Sequence, residues 1–131
     1  MSRHLFVIEG TDGSGKSTQA ALTAQALTQA GVDFTRLTFP RYQEESSALL
    51  RMYLRGDFGR QPGDVNPYAA STFFAVDRYA SFKTGWQTDW EAGKLIFCDR
   101  YTTSNAVHQS SKLPEGELEP FTRWLFDYEY N

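Results

Sequence analysis

The stretch "EGTDGSGKST", residues 9–18, constrains this chain more than any other part of the sequence. It combines three glycines with two acidic residues, a lysine and several hydroxyl side chains, and it follows directly on the apolar run "HLFVI". The residues from Lys16 onward are rich in helix formers. A flexible polar segment between an apolar strand and a helix is either a plain connecting loop or a cradle for an anion.

Residues 10–17, "GTDGSGKS", match the G-x-x-x-x-G-K-[ST] pattern of phosphate-binding loops. The glycines let the main chain wrap so that its N–H groups converge on phosphate oxygens, and the next helix adds the positive end of its dipole. The lysine is expected to reach the β and γ phosphates of a nucleoside triphosphate. The alternative is a glycine-rich turn that binds nothing. The predicted ATP phosphate-binding residues are Gly10, Asp12, Gly13, Ser14, Gly15, Lys16, Ser17 and Thr18.

A carboxylate that holds a metal is expected where the carboxyl ends of parallel strands face the ligand crevice. Asp99 directly follows the apolar run "KLIFC" and takes this place. Together with the hydroxyl of Ser17, Asp99 is predicted to hold Mg²⁺, either directly or through water. The alternative for Asp99 is a cap of the following helix, and the two roles are compatible.

Strand and helix patterns alternate along the chain, which predicts an α/β fold with a parallel sheet. Three strands are predicted, at residues 4–9, 33–39 and 94–98. Helices are predicted at residues 16–30, 46–56, 67–92 and 118–130, and Asn66 is expected to cap the third, with Pro67 in its first turn. The first strand is expected to be buried because its apolar run is continuous, yet a sheet of three strands leaves at least one apolar strand at an exposed edge. We therefore expect residues 1–131 to form a single, incomplete domain of a longer protein.

Charge and cysteine content narrow the class of partner. The formal net charge of −3 argues against a general nucleic-acid or membrane-surface binder, which is normally basic. The single cysteine, Cys98, excludes an intramolecular disulfide and is expected to be a buried structural thiol, which fits a reducing compartment. Neither a signal peptide nor an apolar run of membrane-spanning length is found. We predict a soluble cytoplasmic protein that binds small phosphorylated molecules, and neither nucleic acid nor membranes.

Four segments resemble, in their order and rough spacing, the motifs of thymidylate kinases, which transfer the γ-phosphate of ATP to dTMP. These segments are "FVIEGTDGSGKSTQ", "TFPRY", "FFAVDR" and "CDRYTTSNAVHQ". The resemblance implies ATP and dTMP as substrates, Mg²⁺ as cofactor and a homodimer formed through the helix at 67–92. It also implies the P-loop kinase fold, a parallel sheet with strand order 2-3-1-4-5 and helices on both faces, here truncated after three strands. In that order the truncation leaves the strand at residues 4–9 as an unpaired edge.

The resemblance assigns two arginines to phosphate groups. Arg100 would bind the phosphate of the acceptor and bring it towards the γ-phosphate, because a guanidinium group can grip two oxygens at once. With Lys16 and Asp99 it completes the predicted catalytic set. Arg41 resembles a second phosphate contact, and a solvated arginine after a strand is the alternative. Glu9 is expected to shape the loop rather than to react.

The resemblance also implies a site for the base and sugar of dTMP. Phe74 is similar to the aromatic residue on which thymine stacks, and Arg78, one helical turn later, to the residue that hydrogen-bonds a base carbonyl. Simple core packing is the alternative for the two phenylalanines of "FFAVDR". Asp12 resembles a carboxylate near the deoxyribose 3′-hydroxyl. The polar residues that correspond to the family's base-reading groups are Ser104, Asn105 and Gln109.

Two departures from the family pattern matter. His108 stands where many relatives have a tyrosine linked to rejection of a ribose 2′-hydroxyl; it joins the predicted dTMP site, with a surface role as the alternative. Gly13 stands where some members place an arginine, and members without that arginine use basic residues of a mobile lid, which is expected after residue 131. Two rival functions therefore stay open: a related nucleoside- or deoxynucleoside-monophosphate kinase, and a non-catalytic nucleotide-binding module.

Overall fold

A computed structural model describes residues 2–11 and 13–130 of the chain. The chain divides into two compact units, and each is described by itself. The sheet unit contains the residues up to 39 together with residues 80–101. The helical unit contains residues 40–79 together with the residues from 102 onward. The expectation of one domain over residues 1–131 stays a prediction.

The sheet unit is built on three parallel strands. They are β1 (Leu5–Ile8), β2 (Phe34–Thr38) and β3 (Leu95–Asp99). β3 lies in the middle and pairs in parallel with both neighbours, so the order is β1-β3-β2. The predicted α/β class and parallel sheet are confirmed, and the observed order agrees with the 2-3-1 portion of the order that the resemblance implies.

The middle strand owes its position to its apolar sequence. Ile96, Phe97 and Cys98 are all buried, as expected of a parallel strand that is covered on both faces. Because β3 is paired on both sides, its last residue, Asp99, lies level with Ile8 of β1 and Thr38 of β2. The carboxyl ends of all three strands therefore meet at one edge of the sheet, next to the segment that follows β1.

The prediction that the first strand is buried is wrong, because none of its four residues is buried, and even Leu5 and Ile8 are only half-buried. Phe6 is 54% exposed and Val7 is 37% exposed, although both belong to the continuous apolar run. The reason is that β1 pairs with a neighbour on one side only, so an apolar sequence is not enough to enclose it. The expectation of an apolar edge strand is confirmed for the described residues.

The helices of the sheet unit begin and end close to the predicted positions. Helix α1 covers Lys16–Gln29, and Gly31, with φ of 73°, allows the chain to leave it. The helix predicted over residues 67–92 is interrupted. It consists of α3 (Pro67–Ser81), a π-helical turn (Phe82–Trp86) and α4 (Gln87–Glu91). Around the π-helical turn the aromatic rings of Phe82, Trp86 and Trp90 pack on one another.

The helical unit is formed by α2 (Ala48–Arg55), most of α3, α5 (Thr102–Ser110) and α6 (Glu115–Tyr130). Its core contains the fully buried residues Leu50, Ala70, Phe121 and Leu125. The sequence patterns identified α2, α3 and α6 but not α5, because the segment "TTSNAVHQS" is mostly polar. Asn66 caps α3 as predicted: its Oδ1 accepts a hydrogen bond of 2.8 Å from the N–H of Tyr68. Within residues 2–11 and 13–130, no helix combines the length and the apolar character that crossing a membrane requires.

Candidate functional site

The loop between β1 and α1 needs its glycines. Gly13 and Gly15 have φ values of 79° and 87°, in the left-handed region that other residues adopt only with strain. Gly15 also forms the N-terminal cap of α1. A Cβ atom on Gly10 would lie 2.7 Å from the Oγ of Ser14, so the side chain of Ser14 packs closely on the main chain at Gly10. Gly13 and Gly15 therefore give the backbone a curvature that other residues would adopt only with strain.

The loop lines an open cavity of about 420 Å³ within the sheet unit. The residues that line it are Thr11, Gly13, Gly15, Lys16, Ser17, Thr18 and Arg100. Five of the predicted phosphate-binding residues thus meet Arg100, which comes from the other end of the unit's sequence. Gly10 and Ser14 do not line the cavity, and Asp12 lies outside the described residues. Thr11 was missed, because the motif allows any residue at its position.

Lys16 and Asp99 form an ion pair beside this cavity. The Nζ of Lys16 donates a hydrogen bond of 2.5 Å to Oδ1 of Asp99, and the two side chains are only 11% and 9% exposed. The pair follows from the sheet topology, since Asp99 ends the middle strand next to the strand that leads into the loop. Charges in such a sheltered place interact more strongly than at the surface. Each partner balances the charge of the other.

Arg100 has an unusual main-chain conformation, with φ of 65°. This left-handed geometry is uncommon for a residue other than glycine and must be held by its surroundings. The N–H of Arg100 donates to the carbonyl oxygen of Ile8 at 3.0 Å, and the N–H of Tyr101 donates to Oε1 of Glu9 at 2.9 Å. The thiol of Cys98 donates to the carbonyl oxygen of Arg100 at 2.8 Å. Glu9 thus shapes the segment that carries Arg100.

In the helical unit, Arg41 is bound by a buried carboxylate. The main-chain N–H of Arg41 donates to Oδ2 of Asp77 at 2.8 Å, and its Nε–H donates to Oδ1 at 3.1 Å. Ser46 joins both partners, because it accepts from Nη2 of Arg41 at 2.9 Å and donates to Oδ1 of Asp77 at 2.7 Å. Arg41 is therefore an ordered side chain, unlike the solvated arginine of the alternative interpretation.

Asn105 and Gln109 lie on the buried face of α5, one helical turn apart. The amide nitrogen of Asn105 donates to Oγ of Ser71 at 3.0 Å, and that of Gln109 donates to Oη of Tyr53 at 3.4 Å. Their carbonyl oxygens have no hydrogen-bond partner within the part of the chain that the structure describes. Because buried carbonyl groups are normally paired, these two oxygens are candidate acceptors for a ligand.

The remaining predicted residues of the base site differ in burial. Phe74 is half-buried, and its ring lies 6.3 Å from that of Tyr53 in a nearly perpendicular arrangement. Arg78 is buried and ion-paired with Glu129 of α6. Ser104 is half-buried and His108 is exposed. Through Tyr53 the structure brings Phe74 and Gln109 together, whereas Arg78 is joined to Glu129.

The family model for thymidylate kinase matches residues 8–119. The chain belongs to the thymidylate kinase family. It is 32% identical to the thymidylate kinase of Mycobacterium tuberculosis over 127 residues, which are 96% of this chain and 58% of the relative. It is 34% identical to that of Leptospira borgpetersenii over 122 residues, 91% of this chain and 57% of the relative. The chain therefore spans less than two thirds of the length of these relatives.

A solved structure agrees with this assignment. The thymidylate kinase of Candida albicans superposes on the chain with a TM-score of 0.69 and 26% identity, covering 97% of this chain and 58% of that one. The P-loop kinase fold of the family is thus confirmed for the three-stranded sheet and its helices.

Several residues around the predicted thymidylate kinase site were not identified from the sequence. They are Ser46, Tyr53, Ser71, Asp77 and Glu129. Asp77 gave a usable signal, because a carboxylate directly follows the apolar run "FFAV" on a predicted helix. The others gave none, since their importance depends on which helix they meet.

We expect Gly15→Ala to lower the free energy of unfolding by about 1–2 kcal/mol, because alanine must adopt the left-handed conformation. Gly116→Ala, in α6 where an added Cβ meets no atom within 4 Å, is the matched control and should leave stability unchanged or slightly raised. Denaturant-induced unfolding of both variants measures the difference. Equal effects of the two substitutions would contradict the role of Gly15 in the loop.

Proposed function

We propose that the protein is a thymidylate kinase that transfers the γ-phosphate of ATP to dTMP, which gives dTDP and ADP. The single observation that carries the proposal is the cavity in which the glycine-rich loop, Lys16, Ser17 and Arg100 meet. Cations and main-chain N–H groups around one space are what a polyphosphate requires. Membership of the thymidylate kinase family favours dTMP over other acceptors.

On the nucleotide side, the loop N–H groups and the ammonium group of Lys16 would bind the phosphates of ATP. Ser17 and Asp99 are the residues that would hold Mg²⁺, which neutralises phosphate charge when bound. The residues fit such an ion, because a hydroxyl lines the cavity and a carboxylate lies beside it. Among the described residues, no group of three or more acidic, histidine or cysteine side chains could hold a metal. An ion here would take most of its ligands from phosphate and water, as Mg²⁺ commonly does.

The phosphoryl group passes directly from ATP to dTMP, so the protein contributes mainly positioning and charge stabilisation. An oxygen of the dTMP phosphate forms a bond to the γ-phosphorus, and the bond from that phosphorus to the bridging oxygen of ADP breaks. Lys16 would stabilise negative charge on the transferred group. Arg100 would bind the acceptor phosphate and hold it in line with the breaking bond, and its constrained main chain would reduce the ordering needed on binding. When the phosphates bind, the ammonium group of Lys16 would have to exchange part of its contact with Asp99 for contacts with phosphate oxygens.

On the acceptor side, we assign Arg41 to the dTMP phosphate and Phe74 to the face of the base. The unpaired carbonyl oxygen of Asn105 is suited to accept a hydrogen bond from the N3–H of thymine, and that of Gln109 offers a second acceptor. Arg78, Ser104 and His108 stay predicted members of the dTMP site. Asp12, outside the described residues, stays the predicted partner of the 3′-hydroxyl.

The experiment that tests the function is an acceptor panel with purified full-length protein, ATP and Mg²⁺. The acceptors are dTMP, dUMP, dCMP, dGMP and thymidine, and ADP formation is measured for each. We expect the highest kcat/KM with dTMP. A different preferred acceptor would identify a related nucleoside- or deoxynucleoside-monophosphate kinase instead. Nucleotide binding without turnover of any acceptor would favour the non-catalytic module.

Lys16→Ala should lower the rate of phosphoryl transfer to dTMP by at least about a hundredfold, because it removes a cation that faces the developing charge. Lys94→Ala is the matched control, since Lys94 forms an ion pair with the exposed Asp33 at 3.4 Å on the same unit. Steady-state kinetics of both variants provide the comparison. An unchanged rate in the Lys16 variant would refute the assignment of the loop.

Phe74→Ala should raise the KM for dTMP about tenfold and leave the KM for ATP unchanged, because stacking on the base is lost. The matched control is Phe58→Ala. It also removes a phenylalanine ring, which lies 5.7 Å from the ring of Phe73, but Phe58 has no predicted role in binding. If both variants changed the KM for dTMP equally, Phe74 would be a core residue, as the alternative interpretation has it.

Two further proposals concern the oligomeric state and the cellular location of the protein. We propose that two copies pair through α3, where Val76 and Tyr79 are largely exposed three residues apart. Sedimentation equilibrium tests this: a mass of two chains supports the pairing, and a monomer at micromolar concentration contradicts it. The single cysteine of the sequence, Cys98, is buried, which fits a reducing compartment, and we propose the cytoplasm as the location.

A further inference from the structure

The side chain of Asp77 is only 1% exposed, yet nothing in the sequence assigned it a role. It lies on α3, three residues after Phe74 and directly before Arg78. Its carboxylate accepts three hydrogen bonds: two from the main chain and Nε of Arg41, and one from the hydroxyl of Ser46. A buried carboxylate is costly unless it is paired and hydrogen-bonded, so Asp77 requires Arg41 to stay where it is.

The guanidinium group of Arg41 is held along one side. Nε donates to the carboxylate of Asp77, and Nη2 donates to Oγ of Ser46 at 2.9 Å and to the carbonyl oxygen of Asp77 at 3.3 Å. Nη1 forms no hydrogen bond with any residue that the structure describes, and the side chain is 23% exposed. Two of the five donors of this side chain are therefore available in a fixed orientation.

We propose that Asp77 is a positioning residue for dTMP: together with Ser46 it fixes Arg41 so that Nη1 donates to the acceptor phosphate. This inference rests on the proposed function. A free arginine loses much rotamer freedom when it binds a ligand, and a side chain that is already ordered avoids most of that loss. Asp77 acts through Arg41 and does not itself touch the substrate.

Positioning and simple charge attraction predict opposite results. Asp77 cancels most of the positive charge of Arg41, and the carboxylate itself repels a phosphate group. If charge alone decided binding, replacing Asp77 with a neutral residue would strengthen the binding of dTMP. If the orientation of Arg41 decides binding, the same change should weaken the binding of dTMP. The main-chain N–H and Nε–H of Arg41 and the hydroxyl of Ser46 all donate to the carboxylate. An asparagine amide has only one oxygen to accept these bonds, and its NH₂ group is itself a donor.

The test uses Asp77→Asn in the full-length protein, with the KM for dTMP and the inhibition constant of thymidine as readouts. Thymidine shares the base and sugar of dTMP but lacks the phosphate. We expect the KM for dTMP to rise about tenfold to a hundredfold. The inhibition constant of thymidine should stay within about twofold, because the distant contacts are intact.

A double-substitution cycle connects the effect to Arg41. In an Arg41→Ala background, Asp77→Asn should raise the KM for dTMP no further, since its target is already absent. The matched control is Asp89→Asn in the sheet unit, which also changes a carboxylate bonded to a hydroxyl, that of Thr35 at 2.6 Å, although Asp89 is half-buried and Asp77 is buried. It should leave the KM for dTMP unchanged.

Ser46→Ala provides a second route if Asp77→Asn does not fold, as judged by thermal unfolding. It removes one anchor of Nη2 without leaving a charge unpaired, so it should raise the KM for dTMP by a smaller factor and again spare thymidine. A parallel rise for thymidine in either variant, an unchanged or lower KM for dTMP, or additivity with Arg41→Ala would overturn the inference. Absence of dTMP phosphorylation by the unsubstituted protein would instead overturn the proposed function.

Discussion

The structure of the sheet unit depends on the meeting of Lys16 and Asp99 at the carboxyl ends of two neighbouring parallel strands. The lysine lies at the start of the helix that follows β1, and the carboxylate ends β3. Because the two strands are paired in register, the ammonium and carboxylate groups are 2.5 Å apart although 83 residues separate them in sequence. The same register places Arg100 directly after the pair, at the cavity. One ion pair thus joins the glycine-rich loop to the end of the strand that precedes Arg100.

Arg100 in the sheet unit and Arg41 in the helical unit are both held by hydrogen bonds, but in different ways. Arg100 is fixed through its main chain, by hydrogen bonds that involve Ile8, Glu9 and Cys98. Arg41 is fixed through its side chain by the buried carboxylate of Asp77. The side-chain hydrogen bonds of Arg41 thus hold its guanidinium group in one orientation, whereas the constraint on Arg100 acts on its main chain. An ordered guanidinium group discriminates by direction as well as by charge.

Much of the candidate site could be predicted because its chemistry is local in sequence. Gly10, Gly15, Lys16 and Ser17 lie within eight consecutive residues at the end of the loop and the start of α1, and the motif fixes their spacing. The α/β class followed from alternating patterns, and the cap at Asn66 from its position before Pro67. The π-helical turn at Phe82–Trp86 and helix α5 were not found, since the first leaves the helical periodicity almost unchanged and the second has few apolar residues.

The amino-acid sequence by itself determined the loop, the strands, the family and which side chains carry charge. Only the tertiary structure decided that Phe6 and Val7 of the edge strand β1 are exposed, and that the carboxylates of Asp77 and Glu129 bind Arg41 and Arg78. The physical reason is that conformational preference and motif spacing act over a few residues, whereas burial and ion pairing depend on which distant elements come together. A charged residue in an apolar helix has no defined partner until the fold supplies one.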